Sequence, residues 1–223
     1  VLGLASYTDG TVSATTNAQT IGGSGVYRNL AAAPTANLTS LTVNNTNATG
    51  VTLSVPLSVS GTLTMTSGII NTTTTNLLTL GTATAAGILA GTPSATNMVR
   101  GPFARTIANA NANTNYLLFP VGKTTYAPIW AAPATTAVSV MKAETFDTNT
   151  GTQSAAISNM ATNRRWELPL VSGTINNINV RLGDAGVLAT SIPVQAPSAS
   201  GEYTSTFGAV ATAVVGVSTQ SNT

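Results

Sequence analysis

Val51-Thr52-Leu53-Ser54-Val55-Pro56-Leu57-Ser58-Val59-Ser60-Gly61-Thr62-Leu63-Thr64-Met65 puts every large apolar side chain on an odd position and Thr, Ser or Pro on nearly every even one. An apolar spacing of two is the mark of a half-buried β-strand, since alternate side chains leave a strand on opposite faces. Pro56 and Gly61 interrupt the run as strand punctuation. On either side lie Leu38-Thr39-Ser40-Leu41-Thr42-Val43 and Asn76-Leu77-Leu78-Thr79-Leu80, each followed by Asn or Gly. The phrase Leu41-Thr42-Val43 returns as Leu63-Thr64-Met65 and as Leu78-Thr79-Leu80, at separations of 22 and 15 residues. Repetition of a strand-turn phrase at about 20 residues predicts a solenoid, in which each coil buries its apolar face against the next. An antiparallel meander shows the same alternation and stays open as the competing reading.

The composition supports β structure throughout. Among 223 residues there are 41 Thr, 20 Asn and 20 Gly, against 8 Lys and Arg, 6 Asp and Glu, and no His or Cys. With 6% charged residues, no amphipathic helix has material for its wet face. The apolar fraction of 43% argues against disorder, which combines low hydrophobicity with high charge. The longest basic run is Arg164-Arg165, too little to neutralise a row of phosphates, so nucleic acid is not expected as a partner. No stretch reaches the ~18 apolar residues of a membrane-spanning helix, and membrane insertion is not expected either. The chain begins at Val1 without a signal-like segment, which reads as a processed form or a piece of something longer. An almost chargeless Thr/Asn surface favours export.

Charge divides the chain. From Arg28 to Arg100 lie 71 residues without one charged side chain, whereas residues 100–223 hold 12 of the 14 charges, both Trp and all four Phe. We therefore expect an all-β chain: a short, parallel β-helix-like solenoid over residues 1–99, followed by a β-sandwich-like domain over 100–223. Strands are expected there at 115–121, 137–146, 164–170, 175–182 and 208–217.

Ser-His-Asp and Cys-His catalysis and the usual zinc sites are impossible without His and Cys. Ser139-Val140-Met141-Lys142 matches an S-x-x-K string but lacks its companion motifs. Gly122-Lys123-Thr124 mimics the tail of a phosphate loop, yet Leu117 stands where its first Gly belongs. Glycoside hydrolysis needs two carboxylates about the bond, and the few acids are better used in structural ion pairs such as Arg165 with Glu167. No catalytic residue is assigned, and the chain is read as non-enzymatic. Glu144, Asp147 and Asn149 space oxygens like the start of a calcium loop. Calcium wants six to eight ligands, of which these supply about three, so a plain turn competes and no cofactor other than calcium is entertained. Trp130 and Tyr126 are the candidates for a glycan-binding platform, with a sandwich core as the competing use of such rings. The Asn-x-Thr strings at Asn37, Asn44, Asn47 and Asn71 match glycosylation sequons, but stacked polar ladders along solenoid turns are the stronger reading.

Several ordered phrases together carry a resemblance: Gly61-Thr62-Leu63-Thr64-Met65-Thr66-Ser67-Gly68 through Leu78-Thr79-Leu80-Gly81, then Val99-Arg100-Gly101-Pro102-Phe103-Ala104-Arg105, Leu118-Phe119-Pro120-Val121-Gly122-Lys123 with Tyr126-Ala127-Pro128, and Arg164-Arg165-Trp166. Over about residues 20–215 the chain resembles modules of large secreted surface proteins of Bacteroidota, the repetitive adhesins and fibre-forming cargo of type IX secretion. The resemblance implies an extracellular or cell-surface location and a structural or adhesive role. The expected partners are further copies of the same chain, joined through open strand edges or by lending the segment Val1–Thr16 to a neighbour. Surface or environmental glycans are the alternative partner.

Overall fold

The computed structural model describes residues 2–3, 15–23, 27–29, 36–157, 159–160, 163–188, 191–206 and 217–222. All regular structure among them is β; no helix occurs. Two parallel sheets wind about each other as a solenoid of roughly four coils. The long-strand sheet carries Leu2–Gly3, Thr15–Gly23, Ala36–Asn45 and Leu57–Ser67, continues with Leu78–Leu80 and Ile88–Gly91 side by side on Leu57–Ser67, and reaches Phe103–Ile107. The short-strand sheet stacks Tyr27–Asn29, Val51–Leu53, Ile70–Asn71, Val99–Arg100 and Val121–Gly122. Parallel pairing thus runs on through residue 100.

The odd positions of the decisive stretch point inward. Val51, Leu53, Leu57, Val59, Leu63 and Met65 are buried, while Thr52, Ser54, Ser58, Ser60, Thr62 and Thr64 are half-exposed. Successive coils set like on like. Val51, Ile70, Val99 and Val121 form one buried column, and Ile21, Val43 and Met65 another. Outside, Thr20, Thr42 and Thr64 line up, a β-branched row suited to a pleated surface. Asn and Thr side chains tie the corners: Asn71 Nδ2 donates to the Thr49 carbonyl at 2.6 Å, and Asn45 and Asn47 accept from backbone amides two residues on, each at 2.9 Å. The sequon asparagines Asn45, Asn47 and Asn71 are therefore used in turns and between coils, as the ladder reading expects. The Asn37 side chain lies outside the described residues.

Of the three repeated phrases, the first two stack directly, Leu41-Thr42-Val43 on Leu63-Thr64-Met65. The third does not continue that stack. Leu78-Thr79-Leu80 pairs with Leu57-Ser58-Val59, and Ile88–Gly91 covers residues 62–65 instead. The strand Leu57–Ser67 is 11 residues long and accommodates two short neighbours. Between them the chain makes an excursion from Gly81, turned by Thr82, whose Oγ1 accepts the Ala85 amide at 3.0 Å. This inserted turn explains the unequal spacing of 22 and 15.

Gly68 closes the corner after that strand with φ +101°. A Cβ built on it stands 2.1 Å from the Asn45 carbonyl of the coil before. Gly91 repeats the arrangement one coil on, with φ +91° and 2.0 Å to the Met65 carbonyl. Only glycine fits such a corner, because the backbone of the neighbouring coil occupies the place of the side chain.

The parallel stack ends when Ser139–Phe146 pairs antiparallel with Phe103–Ile107 and takes Arg165–Glu167 and Leu170–Ser172 on its other edge. A separate antiparallel sheet orders Leu117–Phe119, Ile129–Thr135, Ile175–Gly183 and Val217–Asn222. Four of the expected strands overlap these elements. Most of the fifth, residues 208–216, lies outside the described residues, as does most of the segment 1–16. One buried cluster joins both parts of the chain: Leu63 and Val99 belong to it, as do Phe103, Phe119, Ile129, Ala131, Met141 and Ala143. Phe103 and Phe119 meet edge to face at 6.1 Å between ring centres.

Candidate functional site

Charge collects where the parallel stack stops. The last short strand, Val121–Gly122, delivers Lys123 to the surface, and the antiparallel strand Ser139–Phe146 delivers Glu144 and then Asp147. Lys123 Nζ and Glu144 Oε1 pair at 2.9 Å. Asp147 accepts from the Thr124 amide at 3.1 Å, from the Thr124 hydroxyl and from Arg164 Nη1. Arg164 is 9% exposed and also reaches Asp184 through Nε at 3.2 Å and Thr125 Oγ1 through Nη2 at 2.7 Å. Burial pushes the Asp147 carboxyl up, but the Thr124 hydrogen bonds and the Arg164 charge outweigh it and hold the group below its usual range. Beside this cluster Arg165 pairs with Glu167 at 3.1 Å, as two positions apart on one strand allow, and its guanidinium lies 3.8 Å from the Phe146 ring centre.

The three calcium candidates fall in this region without converging on one point. Glu144 is held by Lys123, and Asp147 by Arg164 and Thr124. Asn149 Oδ1 accepts the Gly151 amide at 3.0 Å and the Tyr203 hydroxyl at 3.2 Å. That is turn and ion-pair chemistry. Among the described residues no three His, Cys, Asp or Glu side chains gather as a metal centre.

Trp130 lies half-buried in Ile129–Thr135, on the face opposite the core residues Ile129 and Ala131. Its neighbours across the sheet are Leu118 and Arg181, and the Arg181 guanidinium stacks 3.7 Å from the Tyr116 ring centre. Tyr126 belongs to a different element, the turn that folds back to bridge Gly122, where burial pushes its hydroxyl up to about 12. The aromatic associated with Trp130's strand neighbour is thus Tyr116. Trp166 packs against the core and donates Nε1–H to the Ala127 carbonyl at 3.0 Å.

Ser139 and Lys142 leave their strand on opposite faces. Ser139 is fully buried, donating to the Ala137 and Thr174 carbonyls and accepting the Thr174 amide at 3.0 Å. It latches the hairpin at Gly173 and has no activating base. Arg105 takes the inward place above Leu38, Val59 and Leu80 in an aliphatic column. It bonds the Leu118 carbonyl at 2.7 Å, and burial lowers its guanidinium from the usual value to about 10.

The reading of the sequence did not single out an open groove of about 540 Å³ lined by Arg100, Lys123, Thr124, Phe146, Asp147 and Thr148. Arg100 holds the outward position that Thr52 and Asn71 hold on earlier coils. That substitution of a cation into a polar row is the signal the sequence offered. The groove is assembled from three segments that only the fold brings together. No family model, no curated protein and no solved structure matches the chain.

Proposed function

We propose that this chain is a secreted, non-enzymatic structural protein, a subunit of an extracellular or cell-surface fibre or adhesin stalk that assembles through β-strand edges. In this reading the antiparallel strands of residues 100–223 act as a sandwich-like module at one end of the stack. The observation that carries the proposal is the shaft: coils with buried aliphatic columns, outer rows of Thr and Asn, and no charge from residue 29 to residue 99. A surface with so little charge has little electrostatic defence against self-association, and strand edges offer unpaired backbone groups for it. The use of Glu144, Asp147, Asp184 and Glu167 in ion pairs supports the non-catalytic part. Electron microscopy and light scattering across a concentration series test it: linear multimers are expected, and monodisperse monomers at high concentration refute assembly.

A second reading, a glycan-binding adhesin module, draws on Trp130 beside the Tyr116–Arg181 stack, since aromatic faces receive the apolar faces of sugars. On a glycan array it predicts binding that Trp130→Ala removes. An array without binding, or binding indifferent to that substitution, rejects it.

A further inference from the structure

We infer that the groove at the end of the parallel stack binds the carboxylate of an acidic saccharide, with Arg100 as its anchoring cation. It lies on a different surface from Trp130, and the inference is independent of whether the shaft assembles.

Three observations lead there. The first is the state of Arg100. Its Nε donates to the Lys123 carbonyl at 3.2 Å, which fixes the guanidinium plane, while neither Nη nitrogen has a hydrogen-bond or ion-pair partner among the described residues. Arg164, Arg165 and Lys123 in the same region each meet a carboxylate. A held fork with free donors is the arrangement that receives a carboxylate through two parallel N–H bonds.

The second concerns the acid in the groove. Asp147 lines it, but its Oδ1 is taken by Arg164 and its Oδ2 by the Thr124 amide and hydroxyl. Its charge is directed into the protein, and the groove presents donors: the Arg100 fork and the ammonium of Lys123, which has three N–H bonds and one carboxylate partner. The Thr148 hydroxyl stands at the rim.

The third is shape. About 540 Å³, open along the surface and walled by Phe146, suits a chain of polar rings crossing it better than a small enclosed ligand. Sugar rings bring hydroxyls to meet Lys123 and Thr148 and apolar C–H groups to meet Phe146. The carboxylate of a uronate supplies the charge that Arg100 lacks.

The test is titration calorimetry on the full chain with a galacturonic acid trimer, a neutral galactose trimer and an acidic aspartate peptide. The uronate is expected to bind, more weakly as salt rises, with the neutral trimer at least about tenfold weaker, in line with loss of one charge-assisted contact. Arg100→Gln is expected to weaken uronate binding about tenfold or more, and Arg181→Gln, on the other sheet, to leave it unchanged. Amide shifts in the wild-type protein on adding uronate are expected at residues 100, 123–124 and 146–148. That measurement decides the matter even where the variant folds poorly. Absence of uronate binding, equal binding of the neutral trimer or the peptide, shifts confined to other surfaces, or full affinity in Arg100→Gln overturns the inference.

Discussion

Gly68→Ala tests whether the coils are as tightly registered as the corner geometry requires. The residue has φ +101°, which costs an L-amino acid roughly 1–2 kcal/mol. Its new Cβ falls 2.1 Å from the Asn45 carbonyl oxygen and 3.1 Å from that carbonyl carbon. The obstacle is backbone, so no side chain can turn away. Relief requires the corner to move by about an ångström. That strains the bond from the Gly68 amide to the Thr96 carbonyl at 3.1 Å, worth another 0.5–1.5 kcal/mol or so. The total is at least about 3 kcal/mol, a large share of the roughly 5–15 kcal/mol that holds a domain folded. Gly22→Ala is the internal control. Its φ is not positive, and the nearest obstacle to a Cβ, the Asn44 carbonyl oxygen, is 3.7 Å away, an ordinary contact. It should stay within about 1 kcal/mol of wild type, with any gain coming from a less flexible unfolded chain. Urea unfolding followed by circular dichroism measures both. If Gly68→Ala costs no more than Gly22→Ala, the coils are not stacked as described.

Three further outcomes are expected. Leu63→Ala removes a fully buried side chain from the middle of the stack and should cost about 2–5 kcal/mol in the same urea assay. Ser139→Ala leaves the Thr174 amide without its acceptor and should cost about 1–3 kcal/mol in urea; a cost near zero would show that the latch at Gly173 contributes nothing. Asp147 is held below its ordinary range when folded, so its contribution is complete above the unfolded value near ~4 and is lost as pH falls through the folded one. Melting temperature measured against pH should therefore drop more steeply on the acid side in wild type than in Asp147→Asn, and identical acid limbs would remove the argument.

The shaft was legible in the sequence because its determinants are local. The odd-position rule over 51–65 needs only a strand and an inside, and all seven of those apolar residues except Val55 end up buried. The 22-residue return from Leu41 to Leu63 is one coil. The return to Leu78 was misleading for a physical reason: an inserted turn after Gly81 lets two short strands share one long neighbour, and no spacing rule anticipates an insertion. The acid cluster shows the opposite limit. Asp147-Thr148-Asn149 looks like a ligand loop when read alone, because its partners Thr124 and Arg164 lie 23 and 17 residues away and enter only through the fold. Arg165 with Glu167, two residues apart on one strand, was legible; Arg100 facing Phe146 across a groove was not. Trp130 was singled out as an isolated ring, whereas its setting depends on Arg181, brought beside it by a strand that begins 40 residues after its own ends.

The antiparallel strand Ser139–Phe146 gives the molecule a fixed end. A coil added beyond it would find its ladder already filled by a strand running the other way, whereas a coil of about 22 residues inserted before Leu57 would meet the same rows of Leu, Val and Thr on both sides. Each such duplication would lengthen the shaft by one strand spacing, about 4.8 Å, and leave Arg100, Lys123 and Phe146 untouched. Reach and tip chemistry are thus separable in this architecture, so descendants of one gene can differ in length while presenting the same terminal surface.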